Sequence, residues 1–457
     1  MKSKLRIIGL AVIIAVLGIG CSSLPPIEDS NSIQHYIAIS RDGGLEVVKP
    51  GQPIDSRSTA NTTEAEAVYD RIIAGIKQHP KNSDGKIEVL IYVHGGLNSE
   101  AGALRRVQTK YRDILNGGKY PVFVNWQSGP ITTYGAHLTR IRQGEVSKYG
   151  WLTSPIYLAT DIAKSFINAP KSWLITGRQA IDSTTNLLSD QVRLERYNAP
   201  DSRRIYYDEA DENFTTWRRS AQWWATSPFK LMTTPFTYTL ARPAWDVMLR
   251  RTNTPFYTPS DHIAFNGQQF RSGSHGSGAL FGFLRKLHSE VDQIPMSITL
   301  VGHSMGAIIV NKIITLDMSL PIDNIVHMAS ADSINNLFNH IVPYLSKNQD
   351  ANFYSLALHP DNENRESNAL GFTPSGSLLV WIDNMFTTPE TVMDKRSGSW
   401  LNMERAFALL PEPVLDQMHF KIFGQTVENS TGGYIDTPQK HGEFGDLKFW
   451  SKSVWWK

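Results

Sequence analysis

The stretch that most constrains this chain is Gly302-His303-Ser304-Met305-Gly306. It stands between a branched apolar run, Ser297–Val301, and a second apolar run that opens at Ala307. The first run predicts a buried strand and the second a helix continuing through Ile314, so the five residues form a sharp strand-to-helix bend. Such a bend crowds its neighbours, which explains a glycine on either side, and it lifts the serine hydroxyl above the sheet. A hydroxyl becomes a useful nucleophile only when a nearby base takes its proton. The start of the following helix also leaves backbone N–H groups without partners, and that of Met305 lies where an oxyanion would need a donor.

The surrounding pattern supplies the context such a bend needs. Apolar residues recur at helical spacing from Thr63 to about Gln78. Ile87–Val93 is a nearly continuous apolar strand of the kind buried in parallel sheets, running into His94-Gly95-Gly96-Leu97-Asn98. A helix is expected from about Ala101 to Leu115, and a strand over Tyr120–Trp126. After the bend come strands at Asn324–Met328, Phe353–Leu358 and Phe420–Phe423; an early strand is expected at Tyr36–Ile39. Helices alternating with strands imply a mainly parallel sheet with helices on both faces. Residues 130–272 differ, with scattered Trp, Tyr, Arg and Pro and short amphipathic segments such as Pro155–Ile167 and Ser220–Met232. We read them as an inserted, mostly helical cap, because a structureless loop of that length is implausible in a compact domain. The expected division is a signal over 1–20, a tether over 21–32, the core over 33–129 and 273–457, and the cap between the two core segments.

The order of elements and the GHSMG and HGG stretches resemble the α/β-hydrolase superfamily, most of all its serine esterases and lipases. The resemblance covers about 85–129 and 275–457 and leaves out the insert. It implies a doubly wound α/β-hydrolase sheet and a triad in the order serine, acid, histidine. Ser304 would be the nucleophile. His441, polar-flanked and beyond the last strand, would be the base, with His419 as a rival at a strand start. Asp361, after the strand Phe353–Leu358, would be the acid; Asp332 is the alternative, and Glu363 and Asp383 are further options. The loop after the first core strand would supply a second oxyanion donor, Gly96, with Leu97 able to replace it. Family caps more often follow the nucleophile strand, whereas this insert precedes it.

The chain opens with Lys2, Lys4 and Arg6, then the apolar stretch from Ile7 to Gly20, too short for a comfortable span of about 20 residues. It reads as an export signal. Leu17-Gly18-Ile19-Gly20-Cys21 resembles the lipobox of bacterial lipoproteins, with Gly18 where that motif has leucine. The resemblance implies that Cys21, the single cysteine, is acylated and anchors the chain in the cell envelope. Ser22, not aspartate, follows, which favours the outer membrane in a cell that has one. A plain secretory signal with an incidental cysteine is the alternative.

Net charge is +2, which offers no electrostatic argument for nucleic acid. One cysteine excludes a disulfide framework or a cysteine zinc site. No metal ligand set and no phosphate loop stands out, so no cofactor is expected. Trp173, Trp217, Trp223 and Trp224 of the insert suit a lipid site, a membrane contact or simply a small second core. The expected activity is hydrolysis of a carboxylic (acyl or lipid) ester through an acyl-serine. Thioesterase, amidase and acyltransferase chemistry share that intermediate. The reading from another class is a lipoprotein scaffold on a hydrolase fold, without turnover.

Overall fold

The computed structural model describes residues 29–48, 60–142, 145–146, 149–177, 204–208, 216–257, 277–316, 319–366, 374–426, 430–431 and 434–456. The signal, Cys21 and most of the tether lie outside them.

Nine strands build the main sheet: β1 (Tyr36–Ile39), β2 (Leu45–Glu46), β3 (Ile87–Val93), β4 (Tyr120–Trp126), β5 (Ile205–Tyr207), β6 (Met296–His303), β7 (Ile322–Met328), β8 (Asn352–Leu358) and β9 (Met418–Phe423). Their order across the sheet is β2-β1-β4-β3-β6-β7-β8-β9-β5. Every neighbouring pair is parallel except β1–β2. Strands β3, β4 and β6 to β9 are buried almost throughout, which is why β3, β4 and β6 read as nearly continuous apolar runs rather than alternating ones. Each fully buried valine, leucine or isoleucine there contributes about 1.5–3 kcal/mol relative to exposure.

The helices follow from local signals. Helix α1 (Thr62–Gln78) starts at a capping box. The Asn61 side chain accepts from the Glu64 N–H, and the Glu64 carboxylate accepts from the Asn61 N–H, both at 2.9 Å. Helix α2 (Glu100–Asn116) begins at Ser99, whose hydroxyl caps the Gly102 N–H. In the insert, α3 (Pro130–Thr139) has proline in its first turn. It is followed by α4 (Gly150–Ile167) and by α5 (Thr216–Arg251), which carries Pro228, Pro235 and Pro243. Helices α6 (Ala279–His288) and α7 (Gly306–Leu316) flank β6 in sequence.

The chain runs out from β3 to β4 and returns to the other side of β3 at β6. The strand order therefore reverses between β3 and β6, and the crevice beyond their carboxyl ends is where open parallel sheets place their sites.

The structure adds two features to the expected division. The insert is mostly helical among its described residues, but it also adds a strand to the core sheet. It contributes β5, which pairs in parallel with β9 at the sheet edge. A three-residue strand among polar neighbours carries too little pattern to be read from sequence. The folded region also begins inside the segment read as a tether. Asp29 caps a 3-10 turn over Ser30–His35, and its carboxylate holds the Tyr111 hydroxyl and the Arg112 guanidinium.

Several histidines are buried without a charge partner. Burial lowers His35, His94 and His441 to about 4 and His327 to about 3. In the unfolded chain each takes a proton near pH 6.5. Between those values the unfolded state binds more protons, so stability is complete above about 6.5 and declines as pH falls towards 4. Thermal unfolding followed by circular dichroism should show the midpoint dropping progressively across that window; a midpoint independent of pH there would contradict neutral burial.

Candidate active site

The bend after β6 has the geometry its residues require. Ser304 sits at φ 53°, a left-handed backbone that costs a side-chain-bearing residue on the order of 1–3 kcal/mol. Three backbone bonds hold it there. The Ser304 N–H donates to the Met328 carbonyl at 2.8 Å, and the Ser304 carbonyl accepts from Ala331 at 3.0 Å and Ala307 at 3.1 Å. A Cβ on Gly302 would come within 2.7 Å of Ala307 Cα, and one on Gly306 would strike the Val93 carbonyl, so neither position admits a larger residue. Leu97 and Ala329 are the other described non-glycine residues with positive φ. All three lie just past the carboxyl ends of adjacent strands, β3, β6 and β7, so backbone strain is concentrated at one place on the sheet.

His441 opens a 3-10 turn, His441–Asp446, and its Nε2 lies 2.8 Å from Ser304 Oγ. The ring is positioned through its backbone. The His441 N–H donates to Glu366 Oε2 at 2.8 Å, and its carbonyl accepts from His303 Nε2 at 3.0 Å. The preceding residue but one, Gln439, pins this loop to the end of β9. Its amide donates to the Gly424 carbonyl and accepts from the Thr426 N–H and the Asn362 side chain. Glu443 closes the turn by accepting from the Gln439 and Lys440 N–H groups. Burial, with no opposing charge, keeps the His441 imidazole neutral at physiological pH, so Nε2 is available to take a proton.

The loop after β3 faces the same serine. Its Gly95 carbonyl accepts from His94 Nδ1, Asn98 Nδ2 and Ser128 Oγ, which fixes the loop path. The Leu97 N–H is taken by the Ser128 carbonyl at 3.1 Å, which removes it as a donor to a ligand. Among the described residues, no backbone carbonyl takes the N–H of Gly96 or of Met305. A Cβ on Gly96 would lie 2.6 Å from Met305 Sδ, so glycine is what lets the two donor-bearing turns approach.

The structure brings Ser304, His441, Gly96 and Met305 together, but it does not bring a carboxylate to His441. Its Nδ1 is buried with no hydrogen-bond partner. Asp361 is buried in the short helix Pro360–Arg365 and makes no bond to that nitrogen. Asp332 accepts from Asn311 Nδ2 at 2.7 Å, Asn336 Nδ2 at 2.6 Å and the Ser333 N–H, all away from the histidine. Asp383 pairs with Arg396 at 3.2 Å and accepts from Asn402. Glu363 accepts from Ser399 Oγ at 2.5 Å, and burial pushes it up to about 8. His419 stacks on Tyr354 at 4.9 Å, with Nε2 facing Asn352 Oδ1, and takes no part. Sequence reasoning gave no role to Glu366, Gln439, Glu443 and His303. Glu366 and His303 hold the histidine from distant parts of the chain, Gln439 through Asn362 and Gly424, and Glu443 by closing the turn locally; His303 lies inside the Gly302–Gly306 motif.

Ser304, Met305 and His441 are each almost wholly enclosed. The C-terminal end of α5 reaches the loops after β3 and β4, with Met248 Sδ 3.6 Å from the Cβ position of Gly96 and Arg251 Nη1 donating to the Gln127 carbonyl. Among the described residues, no group of three or more His, Cys, Asp or Glu side chains is arranged to hold a metal ion. Comparison with known protein families, characterised proteins and solved structures finds nothing that matches this chain.

Glu363 offers a test of the buried acidic cluster beside the site. Its carboxyl is protonated in the fold and ionised in the unfolded chain between 4.5 and about 8, so its contribution is complete below 4.5 and is lost as pH rises through 8. Glu363→Gln removes that dependence. Urea unfolding should show the variant gaining on the parent between about pH 5 and pH 8; parallel curves across that window would contradict the protonated form.

Proposed function

We propose that this chain is a serine hydrolase of the α/β-hydrolase type that cleaves carboxylic esters through an acyl-Ser304 intermediate. The observation that carries the reading is the 2.8 Å contact between His441 Nε2 and a serine hydroxyl on a strained bend at the point where the strand order reverses. Nucleophile and base in contact, with two N–H donors converging from opposite turns, is the arrangement acyl transfer needs.

The steps follow from that geometry. As Ser304 Oγ bonds to the substrate carbonyl carbon, its proton passes to His441 Nε2. The carbonyl oxygen gains the negative charge and accepts from the Gly96 and Met305 N–H groups. Collapse of the tetrahedral species breaks the ester C–O bond, and His441 returns the proton to the leaving alcohol. Water then attacks the acyl-serine, His441 takes its proton, and the acid departs as Ser304 regains its hydrogen. We assign Asp361, at the carboxyl end of β8, as the acceptor for His441 Nδ1–H in the reacting state, because catalytic contacts often form only in the occupied site. Ser304 is enclosed, so substrate entry requires local opening, and Met248 at the end of α5, beside Gly96, is the neighbour we assign to yield.

The export stretch and Cys21 support a location in the cell envelope, held by an acyl anchor on that cysteine, at the outer membrane in a cell that has one. Such a location suits acyl esters or lipids as substrates.

A fluorophosphonate probe should label the folded parent at Ser304, and Ser304→Ala should abolish labelling and lower esterase turnover by about 10⁴-fold or more. Nitrophenyl esters of graded chain length then give the acyl preference. Folded protein that neither labels nor turns over any of them favours the scaffold. Asp361→Asn should lower kcat by roughly 10²- to 10⁴-fold with labelling slowed in step; an unchanged kcat would mean that Ser304 and His441 work as a pair without it.

A further inference from the structure

The insert has its amphipathicity inside out. Beyond a turn at Asn168 the helical path of α4 resumes over residues 169–177, and Asn168 N–H donates to Lys164 and Ser172 N–H to Asn168 across the join. Along it Leu152, Ile156, Phe166, Ile167 and Leu174 are between 56% and 76% exposed. Their spacing, with exposed Ala159, Ala163 and Pro170 between them, makes one stripe at helical period. The opposite face is buried and polar: Asp161, Ser165, Ser172 and Thr176. Its groups are satisfied inside the protein. Asp161 accepts from the Tyr134 hydroxyl at 3.1 Å and pairs with His137 at 3.2 Å, and Thr176 bonds Thr234 at 3.3 Å. Buried Lys230 of α5 donates to Ser375 Oγ at 2.8 Å, while Met232 of the same helix is 70% exposed.

A helix facing water does the reverse, hiding apolar residues and showing polar ones. Small and polar residues between helices, with large apolar ones outside, is how helices pack when the surroundings are hydrocarbon. The ends of the stripe carry amphipathic rings. Trp151 is exposed at its start; Trp173 near its end is also exposed while its Nε1 donates to the Leu231 carbonyl. Lys164 and exposed Lys171 lie on its flank, where long stems can reach lipid headgroups. The described part of the chain has no helix long and apolar enough to cross a membrane, so the stripe suits a position along one leaflet.

We propose that this face of α4 and residues 169–177, with Met232 of α5, docks on a lipid bilayer. The chain outside the structure favours that occupant. It carries the basic and apolar stretch Lys2–Gly20 and Cys21, and only seven residues, 22–28, separate Cys21 from Asp29, where the described fold begins. Those eight Cα steps span at most about 28 Å, so a membrane that holds the first segment keeps the fold close to the bilayer. This inference stands whether or not Ser304 is a nucleophile.

The test uses the full chain with Cys21→Ser and one added cysteine, Phe166→Cys or Leu174→Cys, carrying a pyrene label; Lys81→Cys, exposed on the loop after α1, is the control. Each is mixed with phosphatidylcholine–phosphatidylglycerol vesicles whose acyl chains are plain or brominated. The apolar N-terminal stretch brings all variants to the vesicles, so depth rather than attachment is read. A severalfold loss of emission with brominated lipid at 166 and 174, but not at 81, is expected. Vesicle-bound protein with unquenched labels at 166 and 174 overturns the proposal, and excimer emission without bromine quenching overturns it in favour of a second copy of the chain. The two stripe positions guard against one substitution disturbing the fold.

Discussion

The structure depends on one backbone conformation: Ser304 in the left-handed region at the end of the central strand β6. A residue with a side chain stays there only when its surroundings leave no alternative. Here β7 and the turn after it supply the restraint, because the Met328 carbonyl accepts from the Ser304 N–H and the Ala331 N–H donates to the Ser304 carbonyl. The glycines at 302 and 306 let α7 fold back against β6 and the end of β3. Ala329 and Leu97, also at positive φ, belong to the turns on either side, so three neighbouring strand ends share the strain. The cost, on the order of a few kcal/mol in all, is offset by the apolar burial of the sheet beneath.

Burial then sets the electrostatics. Burial keeps the His441 imidazole neutral, and His303 behind it is held well below its ordinary range by burial and by the neighbouring His441. The imidazole is oriented from behind, by Glu366 on its N–H and His303 on its carbonyl, rather than by a carboxylate on Nδ1. Helix α5 links the two regions of the insert. Its C-terminal end brings Met248 beside Gly96, and its middle carries exposed Met232, next to Leu231, whose carbonyl accepts from Trp173.

Local pattern revealed much of this architecture. The strands at Ile87–Val93 and Tyr120–Trp126 match the sequence reading residue for residue, because buried parallel strands leave unbroken apolar runs. The bend at Ser304 was legible because its two glycines are demanded by close contacts within one motif, and His441 because it follows the last strand in a polar loop. What escaped depends on contacts between residues distant in the chain. Strand β5 is defined by pairing with β9, more than two hundred residues later, and leaves only three residues of signal. The anchors of the histidine loop, Glu366 and Gln439, look like ordinary polar loop residues until the fold brings them together. The acid is the least legible member for a related reason: Asp361 is favoured by position, but carboxylates at 332, 363 and 383 also follow the nucleophile, and none of the four bonds His441 Nδ1 in this structure. The helices of the insert were found, but their polarity was not, since a helical stripe reads the same whether its apolar side faces in or out.

The central claim is that the imidazole of residue 441 governs the nucleophilicity of residue 304. The direct measurement is the second-order rate constant for phosphonylation of the folded protein across pH, with the modified residue located by peptide mass. The account predicts modification at Ser304 with a rate nearly constant from about pH 8 down to about pH 5, falling only towards 4 as the buried imidazole gains its proton. Modification elsewhere, or a rate that climbs tenfold per pH unit through neutrality as for an unassisted hydroxyl, would contradict it.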